Sequence, residues 1–78
     1  MKLTKYHFIM QKLIDELNDK IGLIEEKRDS IEDKALDRDR DMTDAEQERY
    51  DYLDSEINCI YSCIDALENA QYEIEDYL

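Results

Sequence analysis

Apolar residues return every three or four positions along most of this chain, and almost nothing in it interrupts a helix. The first series is Leu3, Tyr6, Met10, Leu13, Leu17, Ile21, Ile24, Arg28, Ile31 and Ala35. Gaps of three and four place successive members on one face of an α-helix. Arg28 is the only polar member. There is no proline and a single glycine, Gly22, so the spacing predicts one unbroken helix over about residues 4–36.

The series then stops. Asp37-Arg38-Asp39-Arg40-Asp41 alternates in charge and offers nothing to bury, so residues 37–42 read as a link. Thr43 stands three residues before Glu46, the spacing of a capping box, and Asp44 and Glu46 suit the positive end of a helix. A second helix is expected over about 43–76, with the series Tyr50, Leu53, Ile57, Ile60, Ile64, Leu67, Gln71, Ile74 and Leu78.

Two long helices with a short link fold back on each other. One register aligns both series: Ile31 with Tyr50, Arg28 with Leu53, Ile24 with Ile57, Ile21 with Ile60, Leu17 with Ile64, Met10 with Gln71, Leu3 with Leu78. Arg28 and Gln71 each face an apolar residue in it, an arrangement that fixes alignment at some cost in stability. The expected fold is all-α: a single domain over 1–78, an antiparallel two-helix hairpin of coiled-coil type. The second helix carries a further stripe, Tyr52, Cys59, Cys63, Ala66, Ala70 and Tyr77, about a quarter-turn from the seam. One seam cannot cover both stripes. The simplest cover is a second copy, a homodimer in the form of a four-helix bundle; the other is a foreign protein.

Charge narrows the function. With 22 Asp+Glu against 10 Lys+Arg, the net charge is −12. Such a surface repels phosphate, so direct binding to nucleic acid is disfavoured. The charge is also uneven. Residues 1–41 hold 9 basic and 11 acidic residues, for −2, whereas residues 42–78 hold 1 and 11, for −10. Lys2, Lys5 and Lys12 at the start of the first helix fall beside Glu73, Glu75 and Asp76 in the antiparallel register, where the opposed clusters neutralise each other.

Catalytic chemistry is not foreshadowed. One histidine, His7, and two cysteines, Cys59 and Cys63, do not make a zinc ligand set, and one glycine cannot build a phosphate-binding loop. The register also keeps His7 well away from Cys63. Asp37-Arg38-Asp39-Arg40-Asp41 looks like the opening of a calcium loop, and Glu48 falls at the twelfth position. Met42, however, occupies the place of the required glycine, and two arginines oppose a cation. Neither an enzyme, nor a metal, nor a cofactor is expected. No stretch is apolar enough for a signal or membrane segment, which points to the cytoplasm, where both cysteines stay thiols.

The stretch Arg40-Asp41-Met42-Thr43-Asp44-Ala45-Glu46-Gln47-Glu48-Arg49-Tyr50-Asp51-Tyr52-Leu53-Asp54-Ser55-Glu56-Ile57 resembles the R-D-L-T-x-E-E-x-x-x-F-D-x-L-x-x-E-I segment of tailed phages. That is the helical scaffolding segment preceding many phage major capsid domains, and small acidic helical prophage proteins are similar. The likeness covers 18 of the 78 residues. It implies a phage or mobile-element origin, and with it anti-CRISPR or anti-restriction inhibitors, proteins that occupy nucleic-acid-binding surfaces. The partner would be a protein with a basic surface, such as a CRISPR effector, met in the host cytoplasm.

Two functions remain. In the first, the chain is an inhibitor that mimics DNA charge. Asp51, Asp54, Glu56, Asp65, Glu68, Glu73 and Asp76 are its charge carriers, and Tyr61 and Tyr72, which project away from Tyr52 and Tyr77, are its anchors. Phe8 and Leu23 also lie off the first seam and extend an interface. In the second, the chain is a self-assembling coiled-coil scaffolding protein. Salt separates them, because charge mimicry weakens steeply with ionic strength and a seam does not.

Overall fold

The computed structural model describes residues 2–78 and is a helical hairpin. Helix α1 spans Lys2–Asp37 and helix α2 spans Asp44–Glu75. They pack along their whole length into a rod of 58 × 15 × 13 Å. Among the described residues there is no strand.

The turn is built from named local bonds. Asp39 takes the left-handed conformation, with φ 52°. Its N–H donates to Leu36 O at 3.0 Å, and Arg40 N–H donates to Ala35 O at 3.2 Å. These two bonds are the Schellman closure of a helix end, with aspartate where glycine is usual. α2 then opens on the capping box. Glu46 N–H donates to Thr43 Oγ1 at 3.2 Å, and Thr43 N–H donates to Glu46 Oε1 at 2.9 Å. Arg40 grips the same carboxylate with both terminal guanidinium nitrogens, Nη1 to Oε1 at 2.7 Å and Nη2 to Oε2 at 3.3 Å. The Arg40 bond first, then the Thr43 backbone bond, draw the Glu46 carboxyl down to about 2. Glu46 in turn raises the Arg40 guanidinium. So Arg40, one of the two arginines of the link, closes the turn by bridging the Asp41 carbonyl and the Glu46 carboxylate.

The core is a single layer between the helices. Ile14, Ile21, Ile24, Ile57 and Ile64 are buried, and Leu17, Leu53, Ile60 and Leu67 pack against them. The sequence series needs correction in the first half of α1. Tyr6 and Leu13 are 53% and 43% exposed, whereas Ile14 is 4% exposed and His7 is half-buried. The reason is phase. A stripe through Leu13, Leu17 and Ile21 advances by four twice in succession and drifts round the helix. The spacing 3, 7, 10, 14, 17, 21, 24, 28, 31, 35 alternates strictly and stays opposite the equally strict series of α2.

The register itself is antiparallel, as the cross-helix bonds record: Arg28 to Asp54, His7 to Glu75 and Gln71 to Gln11. The two polar seam residues do not simply face apolar groups. Arg28 bends out to Asp29 (3.1 Å) and Asp54 (2.9 Å), and its guanidinium lies 5.8 Å from the Tyr50 ring centroid. Those carboxylates, Asp29 first, raise its pKa. Gln71, 7% exposed, donates to Gln11 Oε1 at 3.1 Å and to His7 O at 3.4 Å. At the open end of the hairpin His7 Nε2, not a lysine, meets Glu75 at 3.1 Å. Among the described residues Lys5 and Lys12 form no ion pair, and the Lys2 side chain lies outside them.

Candidate functional site

A two-helix rod has two long flanks, one on each side of its seam. Because the helices run antiparallel, each flank of α1 lies beside the corresponding flank of α2. Two grooves show this pairing. One is lined by Gln11, Glu68, Tyr72 and Glu75 over Ile14 and Gln71. The other is lined by Lys27, Ser30, Lys34, Glu46, Glu48, Arg49 and Tyr52 over Ile31 and Leu53.

The flanks differ in chemistry. The first, which we call the acidic face, holds Asp15, Glu25, Asp29 and Glu32 from α1 and Asp51, Asp54, Asp65, Glu68 and Glu75 from α2. It has no lysine or arginine of its own; Arg28 reaches it from the seam. Tyr61, Tyr72 and Phe8 stand exposed among these carboxylates. The second, the mixed face, carries Lys20, Lys27, Lys34 and Arg49 against Glu16, Glu56 and Glu73. Its apolar part comes from both helices: Tyr6, Ile9, Leu13 and Leu23 from α1, and Tyr52, Cys59, Cys63, Ala66, Ala70 and Tyr77 from α2 or just past its end.

The structure therefore divides the expected partner-binding residues. Asp51, Asp54, Tyr61, Asp65, Glu68 and Tyr72 share the acidic face, with Asp54 committed to Arg28. Glu56 and Glu73 fall on the mixed face, and Asp76 is the C-cap of α2, exposed on its outer edge. The four α1 carboxylates and Glu75 were missed. Carrying the seam register one position outward on each helix identifies Glu25, Asp29, Glu32 and Glu75, and identifies Asp15 once the seam runs through Ile14. The expected self-association residues all lie on the mixed face and are exposed, except the half-buried Ala70. Phe8 and Leu23 extend opposite faces, the acidic and the mixed respectively.

Both cysteines are free and exposed, and among the described residues no group of His, Cys, Asp or Glu is arranged to hold a metal. Among the same residues no helix is long and apolar enough to cross a membrane. Comparison with known protein families, curated proteins and solved structures finds no match.

Proposed function

We propose that the protein is a non-enzymatic interaction protein of inhibitor type, whose acidic face occupies a basic, nucleic-acid-binding surface on a partner protein in place of phosphate. The observation that carries this reading is the segregation of charge. Nine carboxylates and no flank lysine or arginine line one side of the rod. A face that served only solubility would have no need to exclude cations from one flank and gather them on the other.

The charge density favours one object of mimicry over another. From Asp51 to Glu75 the face runs about 36 Å at 1.5 Å per residue. One DNA strand carries roughly 11 phosphates in that length, and a duplex about 21. Nine carboxylates, less one charge for Arg28, match a single strand far better than a duplex. Exposed Tyr61, Tyr72 and Phe8 add aromatic surface among the charges, as bases do beside phosphates, and would bind in the pockets that take a strand's bases. The phage resemblance supplies the setting: a host defence protein such as a CRISPR or restriction component, met in the cytoplasm.

The test is competition. The immobilised protein captures its partner from host lysate, and a labelled single-stranded oligonucleotide reports the partner's free site. The wild-type protein displaces the oligonucleotide with a steep dependence on salt. The double variant Asp65→Lys, Glu68→Lys, which touches no ion pair of the hairpin, does not. If it competes as well as wild type, phosphate mimicry is wrong and self-assembly becomes the better reading.

A further inference from the structure

The mixed face has properties of its own that the acidic face does not explain. Tyr6, Tyr52 and Tyr77 on it are 53–69% exposed. At about 200 Å² per tyrosine they alone offer roughly 380 Å², close to half of the ~800 Å² that each partner contributes to a standard interface. The hairpin by itself buries little: among the described residues no side chain is completely enclosed. The charges are also unused. Among the described residues none of Lys20, Lys27, Lys34 and Arg49 has an ion-pair partner, nor do Glu16 and Glu73 on the same face.

We infer that this face is the contact of an antiparallel homodimer with two-fold symmetry, whose axis crosses α1 at Ile21–Gly22 and α2 at Tyr61. The position follows from the charges. When two identical helices meet antiparallel, residues equidistant from the axis face each other across it. Glu16 and Lys27 are equidistant from the Ile21–Gly22 peptide, and Arg49 and Glu73 are equidistant from Tyr61. These two points could have been unrelated. Instead, the hairpin register sets the Ile21–Gly22 point within about 2 Å of the level of Tyr61 along the rod, close enough for one axis to serve both helices. The same axis lays Tyr52 of one copy on Ala70 of the other, large on small, and Cys59 on Cys63.

The alternatives are unfavourable. A dimer through the acidic face would oppose nine carboxylates to nine. Lys20, Lys34 and Glu56 meet Leu23, Ile9 and Ala66 across this axis, so the pairs that fix it are Glu16 with Lys27 and Arg49 with Glu73, and a foreign partner gives no reason for those two pairs to centre at nearly one level of the rod. The dimer leaves its two acidic faces on opposite outer sides, but the inference stands whether or not those faces bind a basic surface.

The experiment reads mass by sedimentation equilibrium over a range of concentrations. The wild type is expected at twice 9.4 kDa. Arg49→Glu sets like charges against Glu73 of the other copy and should weaken the dimer by about tenfold or more. Glu73→Arg should do the same. The double variant Arg49→Glu, Glu73→Arg should restore association. Within one chain these residues are some 36 Å apart along α2, so rescue can arise only between copies, and only in the antiparallel arrangement. A wild-type monomer at 100 µM (an order-of-magnitude ceiling for a functional dimer), a single variant that still dimerises fully, or a double variant that does not recover would each overturn the inference. Circular dichroism at 222 nm confirms that every variant keeps its helices.

Discussion

Among the described residues Gln71 is the one buried polar side chain of the seam, and replacing it measures what the seam gives up for it. It holds one good hydrogen bond, to Gln11 Oε1 at 3.1 Å, and one long one, to His7 O at 3.4 Å. Together these contribute about 1 kcal/mol. In Gln71→Leu neither partner is orphaned. Gln11 is exposed and turns to water, and the His7 carbonyl keeps its place in the α1 ladder. An isobutyl group at a 93%-buried position adds about 2 kcal/mol of apolar burial. The net is a gain of about 1 kcal/mol. At roughly 2.1 cal/mol/K per residue the unfolding entropy of a chain this long is about 0.16 kcal/mol/K, so Tm rises by about 6 °C. Gln71→Ala loses the same bonds, leaves a gap and recovers no burial, so its Tm falls by a similar amount. Thermal denaturation followed at 222 nm, at one protein concentration, decides the sign. A Gln71→Leu protein that melts below wild type would show that the bonds outweigh the burial, and the reasoning would fail.

Two further predictions concern the turn. Asp39 holds φ 52° without being glycine, so Asp39→Gly removes left-handed strain and should raise stability by about 0.5 kcal/mol, net of the entropy glycine adds to the unfolded chain; an unchanged or lower denaturant midpoint would count against a strained Schellman turn. Glu46, drawn down to about 2 from an ordinary 4.5, supports the fold fully above the higher value and loses that support as pH falls through the lower. The stability difference between wild type and Glu46→Gln should therefore shrink as pH falls from about 5 to about 2, and a difference independent of pH would show that the Arg40 and Thr43 contacts do not hold the charged form.

Much of this protein was decided by the sequence alone. The periodicity of α2, the absence of helix breakers and the capping box at Thr43 and Glu46 are local properties. A helix of that pattern buries the same stripe against almost any partner, so the two helices and the turn between them were legible. What the sequence left open was phase. Tyr6 and Leu13 are as apolar as any seam residue, and His7 is not, so hydrophobicity favoured the wrong pair in the first half of α1. Only packing against a second helix with a strict three-four alternation separates Leu13 from Ile14, one residue and about 100° away. That single choice has consequences well beyond the core. It moves Tyr6 and Leu13 to the mixed face, beside the small residues of α2. It also places Asp15 with the carboxylates of α2, beside Glu25, Asp29 and Glu32. A face made by two helices is a tertiary property: each helix determines which of its residues share a flank, but only the register between the helices determines which flanks meet.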